Sequence, residues 1–72
     1  MINTNQLKAR IVGAGMTQGD LAKAVEMTEK TLSVKINGHR PFDILEAVKI
    51  CEALEITDNN EKASIFLRSI SQ

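Results

Sequence analysis

The sequence predicts an all-α fold: a compact five-helix bundle in a single domain over residues 1–72. The chain has 72 residues, 43% of them apolar and 25% charged, which is typical of one small globular domain. Its apolar residues recur at helical spacing, and capping residues and glycines divide them into segments. The alternation typical of strands is absent, and so are Tyr and Trp.

The first predicted helix covers about residues 4–14 and the second begins after Thr17. Three apolar residues of the first helix share a face at i, i+4 and i+7: Leu7, Ile11 and Ala14. Gly15 is expected to be the left-handed residue that follows this helix. Thr17 and Asp20 have the spacing of a capping box, so Thr17 is the predicted N-cap. The predicted inward face of the second helix is Leu21, Ala22 and Val25.

The third predicted helix begins at Thr28 and runs to Asn37, with Gly38 as its stop. Only a few residues connect it to the second helix, so the two helices are expected to cross steeply, as in a helix-turn-helix. Its inward residues are few, Leu32 and Ile36 at i and i+4. Its predicted outward residues are Glu29, Lys30, Ser33, Val34 and Asn37.

The fourth predicted helix covers about residues 44–54, and a last helix covers about residues 60–69. Asp43 and Glu46 form a second capping-box spacing. The predicted core stripe of the fourth helix is Ile44, Ala47, Val48, Cys51 and Leu54, with Ile50 at its edge. Leu45 points away from that stripe, and the sequence leaves its exposure open. The last helix has more apolar residues than one narrow face needs: Ile65, Phe66, Leu67 and Ile70. This C-terminal tail either packs back on the core or forms a homodimer contact.

Charge divides the chain into two halves. Nine basic and nine acidic side chains give a formal net charge of zero. Residues 1–40 have six basic and three acidic side chains, a net charge of +3, and residues 41–72 have a net charge of −3. Such a molecule could present its basic half to phosphate and keep its acidic half away, and it could equally match a basic protein partner.

Other function classes find no support in the sequence. One cysteine, Cys51, and one histidine, His39, cannot form an internal disulfide or a zinc site, so we expect no metal and a reduced, cytoplasmic protein. No catalytic set, glycine-rich phosphate loop or cofactor motif is present, so we expect neither an enzyme nor a small-molecule substrate. No signal peptide or membrane span is expected either.

The segments 16–25 (MTQGDLAKAV), 28–33 (TEKTLS) and 37–38 (NG) resemble the helix-turn-helix of the phage Cro and repressor family. The resemblance covers roughly residues 5–56. Small Ala22 stands where the two helices of this motif approach closely. Glu26 stands where many family members have Gly, so it either adopts a left-handed conformation or the turn differs locally. Lys35 stands where family members often have an apolar residue.

The resemblance implies that the third helix enters the major groove of operator DNA. Gln18 would hydrogen-bond a phosphate, and Lys30 would donate to guanine. Glu29 would accept from cytosine, and Val34 would contact a thymine methyl group. The candidate DNA- or partner-binding residues are Thr17, Gln18, Thr28, Glu29, Lys30, Ser33, Val34, Asn37, His39 and Arg40.

A second ligand stays open, because Glu29 and an exposed Val34 are awkward in a groove lined by phosphates. The chain also resembles the modulator-of-repression proteins of temperate phages, small helix-turn-helix antirepressors. That resemblance implies binding to the DNA-reading domain of a partner phage repressor. Either function would belong to a lysis or lysogeny switch. The sequence does not determine the operator, the direction of regulation, the main ligand or the oligomeric state.

Overall fold

The structure is a computed structural model, and it describes residues 3–66. Within these residues the chain forms five α-helices and no strand. The helices are α1 (Thr4–Gly13), α2 (Gln18–Ala24), α3 (Glu29–Ile36), α4 (Ile44–Ala53) and α5 (Asn59–Phe66). The predicted all-α class is thus confirmed.

The starts of α2 and α4 are capping boxes, as predicted. The Asp20 amide donates to Thr17 Oγ1, and the Thr17 amide donates to Asp20 Oδ2, both at 3.0 Å. In α4 the Glu46 amide donates to Asp43 Oδ1 at 2.7 Å, and the Asp43 amide donates to Glu46 Oε1 at 2.9 Å. Such bonds satisfy amides that have no partner within the helix. The hydrogen bonds from the backbone and side chain of Thr17 lower the pKa of the Asp20 carboxyl.

Helices α1 to α4 end in the same way. After each C-cap one residue has a left-handed backbone, and the following amide donates to the carbonyl five residues earlier, which is the Schellman motif. The left-handed residues are Gly15 (φ 73°), Glu26 (φ 62°), Gly38 (φ 82°) and Glu55 (φ 57°). The two glycines confirm the predicted stops. Of the two alternatives for Glu26, the structure has the strained left-handed conformation. The left-handed conformation of Glu55 was not predicted.

The core contains the predicted inward residues of α1, α2 and α3, with one correction. Leu7, Ile11, Leu21, Ala22, Val25, Leu32 and Ile36 are buried. Ala14 is exposed, and the prediction that it faces the core was wrong, because α1 ends at Gly13 and Ala14 is its C-cap. Phe42 and Ile56 are also buried, and sequence reasoning missed both. The Phe42 ring meets the Phe66 ring edge to face, with centroids 5.5 Å apart.

The predicted core stripe of α4 was wrong in part. Ile44 and Val48 are exposed, whereas Ile50 is fully buried. The inward residues are Ala47, Ile50, Cys51 and Leu54. At 100° per residue, the apolar residues of α4 cover roughly 220° of its circumference, so the pattern alone does not select the buried part. Packing in the core selects the side that contains Ile50, and Leu45 is left exposed.

The last helix packs back on the core. Ile65 and Phe66 are buried, and the Asn3 amide donates to the Ile65 carbonyl at 3.1 Å. Ser64 Oγ donates to Gln6 Oε1 at 2.8 Å, so α5 lies beside α1. These two apolar residues are therefore not free to form the homodimer contact that the sequence left open. Leu67 and Ile70 lie outside the described residues.

Candidate nucleic-acid interface

Helices α2 and α3 form the predicted helix-turn-helix. The Met27 amide donates to the Ala22 carbonyl at 2.9 Å across the turn, and the left-handed Glu26 allows the chain to reverse there. Ala22 of α2 and Leu32 of α3 are both buried in the core. A narrow inward face therefore holds α3, and the opposite side is left for a ligand.

Two contacts position the C-terminal part of α3. Thr4 Oγ1 donates to the Ile36 carbonyl at 2.7 Å, which ties the end of α3 to α1. Lys35 Nζ donates to both oxygens of Glu46, at 2.6 and 2.5 Å. Both side chains are largely shielded from water. The same carboxylate closes the capping box of α4, so this pair joins α3 to the start of α4. Lys35 is thus half-buried and paired, and it stands where the resemblance led us to expect an apolar residue.

Two of the predicted binding residues, Thr17 and Thr28, are the N-caps of α2 and α3. Thr17 Oγ1 accepts from the Asp20 amide at 3.0 Å, and Thr28 Oγ1 accepts from the Thr31 amide at 3.1 Å. Thr28 Oγ1 also donates to Thr31 Oγ1 at 2.8 Å. Their hydroxyl groups are therefore engaged in capping. In the structure they set the starts of α2 and α3.

The predicted base-reading residues lie on the first two turns of α3. Glu29 and Lys30 are exposed, and Lys30 has no ion pair among residues 3–66. Ser33 and Val34 are half-buried, so the expectation that both face outward, with Val34 exposed, holds only in part.

Glu29 makes a contact that sequence reasoning missed. A Cβ atom built on Gly19 would lie 3.3 Å from Glu29 Oε1 and 3.5 Å from its carboxyl carbon. The carboxylate thus lies against the first turn of α2, in space that any other residue at position 19 would fill. A glycine inside a short helix is the one signal in the sequence that could have pointed to this close approach. The acidic group therefore lies on the surface that the resemblance assigns to the ligand.

The remaining candidates flank α3. Asn37 Nδ2 donates to the Ser33 carbonyl at 2.9 Å, so its amide is partly engaged at the end of the helix. His39 and Arg40 are exposed in the connection to α4. Gln18 is half-buried at the first position of α2. The helix-turn-helix therefore brings the candidate residues to the starts of α2 and α3 and to the end of α3.

No group of three or more His, Cys, Asp or Glu side chains among residues 3–66 could hold a metal ion. None of the helices in this part of the chain is long and apolar enough to cross a membrane. Cys51 is buried among apolar residues, and this burial raises the pKa of its thiol.

In a comparison with protein-family models, residues 7–58 match a model described as "Helix-turn-helix". The match covers more than half of the chain and runs from the first turns of α1 to just before α5. No curated protein and no solved structure matches the chain.

Proposed function

Because this chain belongs to the helix-turn-helix family of the Cro and repressor type, a family of DNA-binding transcription regulators, we propose that it binds operator DNA through α3. The switch that it would control is the choice between lysis and lysogeny in a temperate phage. The observation that carries this proposal is the position of Lys30, which is exposed and without an ion pair among the described residues on the first turn of α3.

The side chains near α3 are placed to contact DNA phosphates on both sides of the major groove. Gln18 stands at the start of α2, and His39 and Arg40 follow the end of α3. Amides and basic side chains at such positions set the register of a protein on a duplex, whereas base contacts set its specificity. Lys30 would then donate to the O6 and N7 atoms of guanine.

The test is fluorescence anisotropy of the full chain with the duplex upstream of its own gene, at about 50 and 200 mM salt. We expect tight binding that survives competitor DNA and weakens with salt. Lys30→Ala is expected to weaken binding by about 1 to 3 kcal/mol. Lys8→Ala, a matched change at an exposed position of α1, is the control and is expected to change it little. Equal losses from both variants would indicate general electrostatic attraction and contradict base reading by Lys30.

One observation favours a second candidate function, an antirepressor that binds the DNA-reading domain of a partner repressor. The Glu29 carboxylate lies over Gly19, and Glu29 is exposed on the same first turn of α3 as Lys30. A carboxylate in the groove is repelled by phosphates unless it meets a cytosine amine, but it attracts a surface rich in Lys and Arg. Glu26 and Lys35 are already paired with Lys49 and Glu46, so they add no free charge of either sign.

Glu29→Lys separates the two functions. For an operator-binding protein this variant is expected to bind DNA more tightly, because it adds a phosphate contact and removes a repulsive charge. For an antirepressor it is expected to abolish binding to a basic repressor surface, while Glu29→Gln weakens that binding less. Repressor binding that both variants leave unchanged would exclude this surface as the antirepressor site.

A further inference from the structure

Gly19 lies inside α2, where the backbone does not require a glycine. Gly15 and Gly38 have left-handed backbones, whereas Gly19 has no positive φ. A glycine inside a helix is less favourable than an alanine, because it loses more conformational freedom on folding. Gly13 is the other glycine within a helix, and nothing lies within 4 Å of the Cβ position that it leaves empty. At Gly19 a side chain of another helix lies close to that position, so the open space is the feature that distinguishes this glycine.

The space beside Gly19 contains the end of the Glu29 side chain. Glu29 Oε1, its carboxyl carbon and Oε2 would lie 3.3, 3.5 and 3.6 Å from a Cβ atom at position 19. These three distances are nearly equal, so the whole carboxylate lies against the first turn of α2. Among residues 3–66 this carboxylate has neither an ion pair nor a hydrogen bond. Its position therefore depends on the open space at Gly19 and not on a bond.

A side chain at position 19 would displace the carboxylate. A Cβ atom 3.3 Å from Glu29 Oε1 is closer than an ordinary van der Waals contact, so the oxygen would have to move. Glu29 is exposed and its side chain is flexible, so the carboxylate can move away from α2 while both helices stay folded. A longer side chain at position 19 would displace it further.

The direction of the Glu29 side chain decides what this residue can contact. Glu29 and Lys30 are exposed on the first turn of α3, the part of the helix that would enter the major groove. A carboxylate held against α2 cannot at the same time extend into the groove beside Lys30. A carboxylate directed away from α2 would meet base edges, where the amine of cytosine suits it, and the phosphates would repel it opposite other bases.

We propose that Gly19 is a positioning residue that sets the base specificity of α3 through Glu29. The open space at Gly19 receives the Glu29 carboxylate, so Lys30, and not Glu29, reads a base from the first turn of α3. This differs from the role that the resemblance gives Glu29, which is to accept from cytosine. The inference rests on the proposed function, because it concerns the operator that α3 would bind.

The test uses Gly19→Ala and Gly19→Leu, which fill the space to different extents. Both side chains favour a helix more than glycine does, and neither can form a hydrogen bond with DNA, so the variants are expected to melt no lower than the wild type. Gly13→Ala is the matched control, a change of the same kind at a helical glycine with open space around it. Fluorescence anisotropy then measures binding to the duplex upstream of the gene and to duplexes with each base pair of the bound site replaced in turn.

The expected result is a change of specificity. Gly19→Leu is expected to bind the wild-type operator several-fold more weakly and to gain, at one position, a preference of about fivefold or more for cytosine. Gly19→Ala is expected to show the same change to a smaller extent, and Gly13→Ala to behave as the wild type. In a Glu29→Ala background, Gly19→Leu is expected to change neither affinity nor specificity, because no carboxylate remains to be displaced.

Two results overturn this inference alone. If Gly19→Leu has the same effect in the Glu29→Ala background, the new side chain acts on DNA directly. If the wild type already prefers cytosine at one position and Glu29→Ala removes that preference, Glu29 reads a base without displacement. A wild-type chain that binds no duplex specifically is a different result, because it contradicts the proposed function itself and this inference with it.

Discussion

The α2–α3 unit and the α4–α5 unit differ in how many of their large apolar side chains are exposed. In α2–α3 every large apolar side chain is buried or half-buried, and charged residues cover the outside. In α4 three large apolar side chains remain exposed, while three apolar residues of the same helix and its C-cap Leu54 are buried. A narrow apolar stripe leaves a helix one way to face the core. A helix with a broad apolar stripe keeps apolar side chains outside the core, and another molecule can bind them.

The largest expected effect comes from two isoleucines on the same helix. Ile50→Ala is expected to lower the free energy of unfolding by about 2 to 5 kcal/mol, because it opens a cavity at a fully buried position. Ile44→Ala is expected to change it by no more than about 0.5 kcal/mol in the monomer, because this side chain is largely in water. Urea denaturation at low protein concentration measures both. Equal costs for the two changes would mean that α4 is rotated relative to the structure.

Two lysines test how the units are joined. Lys35→Ala leaves Glu46 without its partner in a largely shielded position between α3 and α4, and is expected to cost about 1 to 3 kcal/mol. Lys49→Ala breaks an ion pair with a well-exposed Glu26 and is expected to cost less than about 0.5 kcal/mol. Thermal unfolding at low and high salt checks the difference, since salt screens the exposed pair more strongly. If salt reduces the stability lost in Lys35→Ala as strongly as it does in Lys49→Ala, the ion pair between Lys35 and Glu46 is not shielded from solvent.

The helix ends give a smaller contrast. Gly38→Ala is expected to cost about 1 to 2 kcal/mol, although the space around it is open, because Ala strains at φ 82°. Glu26→Gly is expected to gain about 0.5 to 1 kcal/mol, because it relieves the same strain at φ 62°. The two unfolding free energies are measured against the wild type. A destabilised Glu26→Gly would mean that the side chain of Glu26 contributes more than its exposed ion pair with Lys49 indicates.

Local chemistry made much of the fold predictable. Thr17 with Asp20, Asp43 with Glu46, and the stops at Gly15 and Gly38 are each specified by residues close in the chain, and the structure confirms them. The burial of Phe42 and the rotation of α4 were missed. Both depend on contacts between residues far apart in sequence, such as the Phe42–Phe66 ring pair, which no helical pattern contains.

The candidate site was predictable to a different degree. The positions of Glu29 and Lys30 on the first turn of α3 follow from the N-cap at Thr28, which the sequence indicates. The contact of Glu29 with Gly19 does not follow from it, because the crossing of α2 and α3 determines this approach. The ion pair between Lys35 and Glu46 could not be predicted either. Lys35 stands at a position that is usually apolar, and no residue close to it in the sequence indicates its partner.

The smallest expected effect concerns the capping box at the start of α2, on the binding side of the molecule. The pKa of Asp20 is lowered in the folded chain by its hydrogen bonds with Thr17, so its carboxylate contributes stability above the pKa of the unfolded chain, near 3.8. That contribution is lost as the pH falls through the lower, folded value. Asp20→Asn removes the charge but keeps an acceptor oxygen, so its melting temperature is expected to lie below that of the wild type near pH 6 and to approach it near pH 3. A difference that persists unchanged at the lower pH would show that packing of the side chain, and not its charge, stabilises the start of α2.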